Sequence, residues 1–440
     1  MFFRGMDQDN FNTGDLMFWE TPGHLDVRGG KLFIGGLDAA ELAHEYGTPL
    51  YVYNGSRIVE NYSRIFSALK KHSDRDVRVY YAAKANTSIA VMKLLSDAGA
   101  WVDVVSPNEA RLALDCGFKR ENVLFTGTSV SDRDQEALVE FGVTVNIDSF
   151  SQMRRLARFG PRKVGIRWNP GEGAGHHEYV ITAGKYIKFG IPEEKIVDAF
   201  TEAVRLGLDP VGLHQHIGSG WLENDVDIFL ETVDKTLDAA RKITESLGKQ
   251  LEFVDFGGGP GIPYMSGKLE FPLDKYASGI CEKVKESGLD FGAIIIEPGR
   301  YIVGDSGILL TEINTVEEKG VPIVGVDSGF GTLIRPILYN AQHAMVVCDK
   351  ADREPDRDFM IAGNLCETGD VFHQVKKLRP LPTPIEGDIL AILDAGAYGF
   401  AMSSTYNMRD LPAEVMVQDG KSRLIRERGT YEDLIKGQRE

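Results

Sequence analysis

From Pro49 to about residue 304 the chain repeats one unit: a short apolar, β-branched run, a small or polar turn, an amphipathic helical stretch, and then the next run. The runs fall at 50–52, 77–82, 101–105, 123–125, 144–147, 163–167, 210–214, 252–256 and 293–297. Most are apolar at consecutive positions, as strands of a parallel sheet covered on both faces must be. Between them, stretches such as 88–97, 108–116, 149–159 and 226–247 carry the spacing of an outer helical layer. A series of this length predicts an α/β fold, a (β/α)8 TIM-type barrel of about 250 residues. The rival, a doubly wound open sheet, gathers its ligand at one crevice. Here polar residues recur at the carboxyl ends of many successive runs (Lys84, Asp103, His216, Gly257 to Gly259 and Glu297), which favours the barrel.

Past residue 305 the helical cadence stops, and strand-like runs at 307–315, 321–326, 344–348, 358–362, 389–393 and 414–417 predict a β-rich, barrel- or sandwich-like domain. The expected organisation is an N-terminal segment 1–48 that joins this β domain, a barrel 49–304, and a C-terminal β domain 305–440. The segment 1–48 itself contains a strand-like run at 31–34 and a helical pattern at 38–46.

A formal charge of −16 leaves no basic face for nucleic acid or an anionic membrane. An anionic ligand therefore has to be held by local groups. Cys116, Cys281, Cys348 and Cys366 lie far apart with no CxxC spacing, which predicts neither a zinc site nor a disulfide framework, and suits a reducing cytoplasm. The first residues mix Arg4, Asp7, Asp9 and Asp15 into their apolar positions, unlike a signal peptide, and no later run is apolar for long enough to span a bilayer.

Within this frame six stretches carry chemistry. Lys84 ends the run Val79-Tyr80-Tyr81-Ala82-Ala83, and Asn86, Thr87 and Ser88 then begin a helix. An ammonium among Ala and Tyr side chains is expected to lose solvation, which lowers its pKa and frees the amine for attack on a carbonyl; the plainer alternative is a lysine that points into water. Gly257 to Gly261 follow the run 253–256 and let backbone N–H groups approach an anion, with phosphate expected. The segment is not GxxxxGK[ST], so a nucleotide P-loop is not indicated. Glu297-Pro298-Gly299-Arg300 sets a carboxylate and a guanidinium across a tight turn, where the arginine can clamp an anion or simply close the turn. His214 and His216 are two apart; both could ligate a metal, but no third ligand follows, and the small residues after Ile217 predict a strand that ends near His214 with His216 just past it. Cys366-Glu367-Thr368-Gly369-Asp370 places a thiol and two carboxylates on one loop, and Asp394 to Gly399 presents Tyr398 among small residues.

Taken together and in order, YYAAKAN, WVDVVSPNE, HQHIGSG, DFGGGPGI, EPGR, RPILY, CETGD and DAGAYG resemble the fold-type III pyridoxal-phosphate-dependent amino acid decarboxylases, most closely the diaminopimelate branch. The resemblance runs from about residue 47 to about residue 417. It implies pyridoxal 5'-phosphate as cofactor, no metal, and Lys84 as the lysine that binds the cofactor covalently. It further implies His216 stacked on the pyridine ring, Gly257, Gly258, Gly259 and Ser219 around the phosphate, and Glu297 at the ring nitrogen. Asp103, Gly299, Arg300 and Tyr398 are expected beside the cofactor, and Arg300, Arg335, Tyr339, Glu367 and Tyr398 around the substrate. Cys366 is matched to a thiol supplied by the second subunit for protonation, with Lys84 and His216 as the other catalytic positions, so a homodimer with shared active sites is implied. The reaction implied is decarboxylation of meso-2,6-diaminopimelate to L-lysine and CO2. The same fold also serves decarboxylases of D-lysine, D-ornithine, arginine or a carrier-linked glutamyl group, and a non-catalytic regulatory homologue is a further alternative. Gly220-Trp221 and Asn340-Ala341-Gln342-His343 depart from the family pattern at the edge of the expected pocket.

Overall fold

The computed structural model describes residues 17–171, 182–267, 269–372 and 377–439. Eight parallel strands close on one another: β1 (Asp76–Ala82), β2 (Trp101–Val104), β3 (Val123–Phe125), β4 (Thr144–Ile147), β5 (Lys163–Asn169), β6 (Asp209–Gln215), β7 (Leu251–Asp255) and β8 (Phe291–Ile296). Closure is made where Ile294 of β8 pairs with Val77 of β1, and the seam between halves where Asn146 of β4 pairs with Gly165 of β5. The expected TIM-type barrel is thus present, with helices outside it. Three of these helices begin with the same device: Ser106, Ser131 and Ser149 accept the backbone N–H of the residue three positions on, at 3.1, 3.1 and 3.2 Å. Each such cap stabilises its helix by about 1 kcal/mol and fixes where the chain leaves the strand end.

The floor of the barrel is plugged by Tyr80, Leu124, Val211, Phe253, Ala293 and Ile295. Phe253 fits because its neighbours lack side chains: a Cβ on Gly212 would stand 2.0 Å from its ring. The plug confines any ligand to the carboxyl ends of the strands.

A second, mixed sheet follows the order 379–381, 357–362, 322–326, 307–318, 50–54, 413–418, 421–426, with 389–392 also paired to 307–318 and 345–347 paired to 389–392. The expected β-rich architecture is therefore present. The run at 50–52, counted above with the barrel, belongs instead to this sheet as Leu50–Asn54, antiparallel to Gly307–Glu318 and parallel to Ala413–Gln418. All five of its residues are buried, so its sequence reads like a barrel strand although its partners come from the far end of the chain. The helix Ala39–Tyr46, capped by Asp38, packs with the hairpin 25–34 on one face of this sheet.

Candidate active site

A cavity of about 230 Å³ opens at the carboxyl ends of the barrel strands, lined by Ala82, Lys84, Thr182, His216, Ser219, Gly258 to Pro260, Glu297, Gly299, Arg300, Tyr339 and Tyr398. Lys84 sits in the single turn Ala83–Ala85 that ends β1, and Gly299 lets the turn after β8 press against it: a Cβ there would lie 3.0 Å from that of Ala85. Lys84 Nζ is 3.1 Å from Asp103 Oδ2, on the neighbouring strand β2. Burial works against the ammonium, but the Asp103 and Glu297 carboxylates outweigh it and hold the lysine above its ordinary value. The expectation of a depressed lysine is therefore corrected: Ala and Tyr neighbours did not reveal the carboxylate facing them. Asp103, in turn, is pushed up to about 7 by its own burial and by Glu297.

Beneath the cavity, His214, Asp255 and Glu297 bring donor atoms within 4.8 Å of one another. His214 Nε2 is 3.2 Å from Glu297 Oε2, and Glu297 Oε1 is buried with no hydrogen-bond partner among the described residues. Burial and the Glu297 charge push the Asp255 carboxyl well up, while His214 holds Glu297 low. His214 is itself buried and shifted toward the neutral form, by loss of solvation.

His216 lies one residue past β6, as its following small residues predicted, and lines the cavity. Its Nδ1 accepts the Gly258 N–H at 3.1 Å, and burial together with the Lys84 charge keeps the ring neutral. The glycine turn is more specialised than an open row of donors. Gly257 donates to Asp255 Oδ1 at 2.9 Å and Gly258 to His216, which leaves Gly259 as the member whose N–H has no described partner. All three positions are sterically closed to a side chain. A Cβ would stand 2.3 Å from Gln215 O at Gly257, 2.2 Å from Glu297 O at Gly258 and 2.4 Å from the Trp221 ring at Gly259. Trp221, a departure from the family pattern, is fully buried and backs the turn, its backbone N–H and that of Gly220 both reaching Gly259 O.

Arg300 is buried, donates to Tyr264 Oη at 2.8 Å and to Ser219 Oγ at 3.4 Å, and stands 5.0 Å from the centre of the Tyr398 ring. Tyr398 holds left-handed backbone, φ 57°, tied by its N–H to Ala85 O at 2.8 Å. A non-glycine residue in that conformation is strained, and such strain collects at functional sites. Arg335 is also buried but does not line the cavity; it bonds His343 Nε2 at 2.8 Å. Cys366 and Glu367 are exposed on their loop, outside the cavity of their own chain, with the Cys366 N–H donated to Asn407 Oδ1 at 2.8 Å.

The sequence reading passed over Asp255, Thr182 and Tyr264. Asp255 had a visible signal, an acid inside the apolar run Phe253-Val254-Asp255-Phe256. Tyr264, in an irregular loop after Pro263, had none.

The fold, the lysine at the end of β1 and the glycine turn after β7 have counterparts in known proteins. Residues 56–304 match the family model for the pyridoxal binding domain of pyridoxal-dependent decarboxylases. The chain is 46% identical to a diaminopimelate decarboxylase of Methanothermobacter thermautotrophicus over 93% of this chain and 96% of that protein. It belongs to the diaminopimelate decarboxylase family of pyridoxal-dependent decarboxylases. A diaminopimelate decarboxylase of Archaeoglobus fulgidus is 37% identical over 93% of this chain and 97% of its own length. Among solved structures, the Helicobacter pylori diaminopimelate decarboxylase complexed with L-lysine superposes with a TM-score of 0.82 at 33% identity, covering 90% of this chain and 98% of that one. A lysine/ornithine decarboxylase from Vibrio vulnificus, at 19% identity and a TM-score of 0.72, shares the fold. Pyridoxal phosphate is the cofactor of this family, and the site suits it. Lys84, the unpartnered Glu297 Oε1 and a glycine turn that admits no side chain all meet one cavity.

Proposed function

We propose that the protein decarboxylates meso-2,6-diaminopimelate to L-lysine and CO2 with pyridoxal 5'-phosphate. The observation that carries this reading is the meeting of Lys84, Glu297 and the buried Arg300 in one cavity. Pyridoxal phosphate, when bound, supplies the sink for the electron pair left as the bond between Cα and the carboxylate breaks. Lys84 would hold the cofactor through its amine, and Asp103, at 3.1 Å, is placed to accept a proton from the ammonium. His216 offers the face of a neutral ring whose orientation is set by the Gly258 N–H. Glu297, held low by His214, would favour a proton on the cofactor's ring nitrogen. Gly259 and Ser219 would hold the phosphate, and Tyr398 and Gly299 line the cavity beside the Lys84 turn.

The substrate is an amino acid at both ends. Arg300 and Arg335 are buried cations whose hydrogen bonds go to Tyr264, Ser219 and His343, so two carboxylates suit them better than one. Tyr339 lines the cavity with Arg300, and Arg335 lies behind Tyr264 outside the lining. The acid Glu367, for the distal ammonium, and the thiol Cys366, as proton donor to Cα, are exposed, and a second copy of the chain would bring them over the cavity of the first. The working unit is therefore a homodimer with shared sites. A reducing cytoplasm accords with four free cysteines, and no helix among the described residues is long and apolar enough to cross a membrane.

The deciding measurement is CO2 release by the purified, cofactor-loaded protein on meso-diaminopimelate, D- and L-lysine, ornithine and arginine. Turnover on diaminopimelate alone is expected; faster release from lysine or ornithine overturns the substrate assignment.

A further inference from the structure

Two guanidiniums at this site lie within a few ångströms of the same phenol. Arg300 and Arg335 are 4% and 1% exposed. Among the described residues neither has an ion-pair partner, and their hydrogen bonds go to groups without charge. His343 is one of these: its Nδ1 donates to Leu393 O at 2.7 Å, which leaves Nε2 to accept from Arg335. Burying two like charges without counter-ions is costly, and it makes the site take up anions.

Tyr264 joins the two. Its hydroxyl accepts Arg300 Nη1 at 2.8 Å, the centre of its ring lies 4.6 Å from the Arg335 guanidinium carbon, and His343 meets the ring edge-on at 5.4 Å. A guanidinium is a planar fork, so pinning Nη1 fixes where the rest of the fork points. Here that leaves the Nη2 side toward Ser219 and the cavity. Without the hydroxyl, the long Ser219 contact at 3.4 Å is the one hydrogen bond left to the Arg300 guanidinium among the described residues, beside the Tyr398 ring at 5.0 Å.

We infer that Tyr264 is a positioning residue that aims the Arg300 guanidinium at a substrate carboxylate. The inference rests on the proposed reaction only for the identity of the substrate, since the geometry asks for a carboxylate of any origin.

The test uses pimelate, a seven-carbon dicarboxylate without an amine to react, titrated calorimetrically into cofactor-loaded protein. Wild type should bind it, and Tyr264→Phe should bind it about tenfold more weakly. If Tyr264 acts through Arg300, Arg300→Lys and the double variant should bind equally. In turnover, Tyr264→Phe should raise KM about tenfold and leave kcat within about threefold. No binding to wild type, an unchanged Tyr264→Phe, or losses that add in the double variant would overturn the inference. Pimelate binding with this pattern in a protein that releases no CO2 from diaminopimelate would instead defeat the proposed reaction and leave the role of Tyr264 standing.

Discussion

Lys84 Nζ lies 3.1 Å from Asp103 Oδ2: the two are 19 residues apart in sequence, but Lys84 sits in the turn just past Ala82, and Ala82 pairs with Asp103 across adjacent barrel strands. That contact reverses the charge state that the lysine's immediate neighbours suggest. In cofactor-free protein Lys84 should be a poor nucleophile at neutral pH because Asp103 keeps it protonated. Asp103→Asn removes the charge and retains the shape, so the lysine pKa falls and the free-amine fraction rises. Amine labelling of Lys84 at pH 8, followed by peptide mass spectrometry, should become about tenfold faster in the variant. An unchanged or slower rate would mean that Glu297 suffices to hold the charge.

The glycine turn makes a second prediction. A methyl group at position 258 would meet Glu297 O at 2.2 Å, which is backbone and cannot swing aside. Overpacking of this kind costs about 1–3 kcal/mol, and here the displaced atoms belong to Glu297 and to the His216 contact. Gly258→Ala should keep its far-ultraviolet circular dichroism while its affinity for pyridoxal phosphate, read from the visible absorbance of the loaded protein, drops by about tenfold or more.

Much of this arrangement was legible in the chain because strand ends in a barrel all face one way. Once the runs before Lys84, His216, Gly257 and Glu297 are strands, the residues that follow them must share one rim. What stayed hidden depends on partners remote in sequence. Leu50–Asn54 is buried on both faces in either sheet, so nothing local says that Gly307–Glu318 and Ala413–Gln418 flank it. The same holds for the charge on Lys84, set by Asp103, and for Tyr264, whose importance arises only where Arg300 and Arg335 converge. The three-glycine turn was visible as a turn, but two of its N–H groups are taken by Asp255 and His216, partners that only the folded strand ends bring to it.

A shared active site predicts complementation. Lys84→Ala and Cys366→Ala should each lose nearly all activity, since one removes the cofactor anchor and the other the proposed proton donor. If Cys366 serves the neighbouring subunit, a mixed dimer contains one site with both residues intact and one with neither. Co-refolding equal amounts should then restore about a quarter of wild-type activity, because half of randomly formed dimers are mixed and each has one working site. No recovery in a sample shown by native mass spectrometry to contain mixed dimers would place Cys366 outside the partner's site.

Asp394 gives the pH dependence of stability. Its carboxyl is buried near the charge of Asp305, and these push it up to about 8. An acid with a raised folded pKa contributes stability that is complete below its unfolded value, near 4, and is lost as pH climbs toward the folded one. In that window the unfolded chain releases a proton that the folded chain still holds. Asp394 also occupies left-handed backbone, φ 56°, which asparagine tolerates as well as aspartate does. Asp394→Asn therefore preserves shape and conformation and removes the titration. Between pH 5 and pH 8.5 the urea midpoint of wild-type protein should fall by more than that of the variant. Parallel declines in the two proteins would show that Asp394 is already ionised in the folded state and that another group carries the pH dependence.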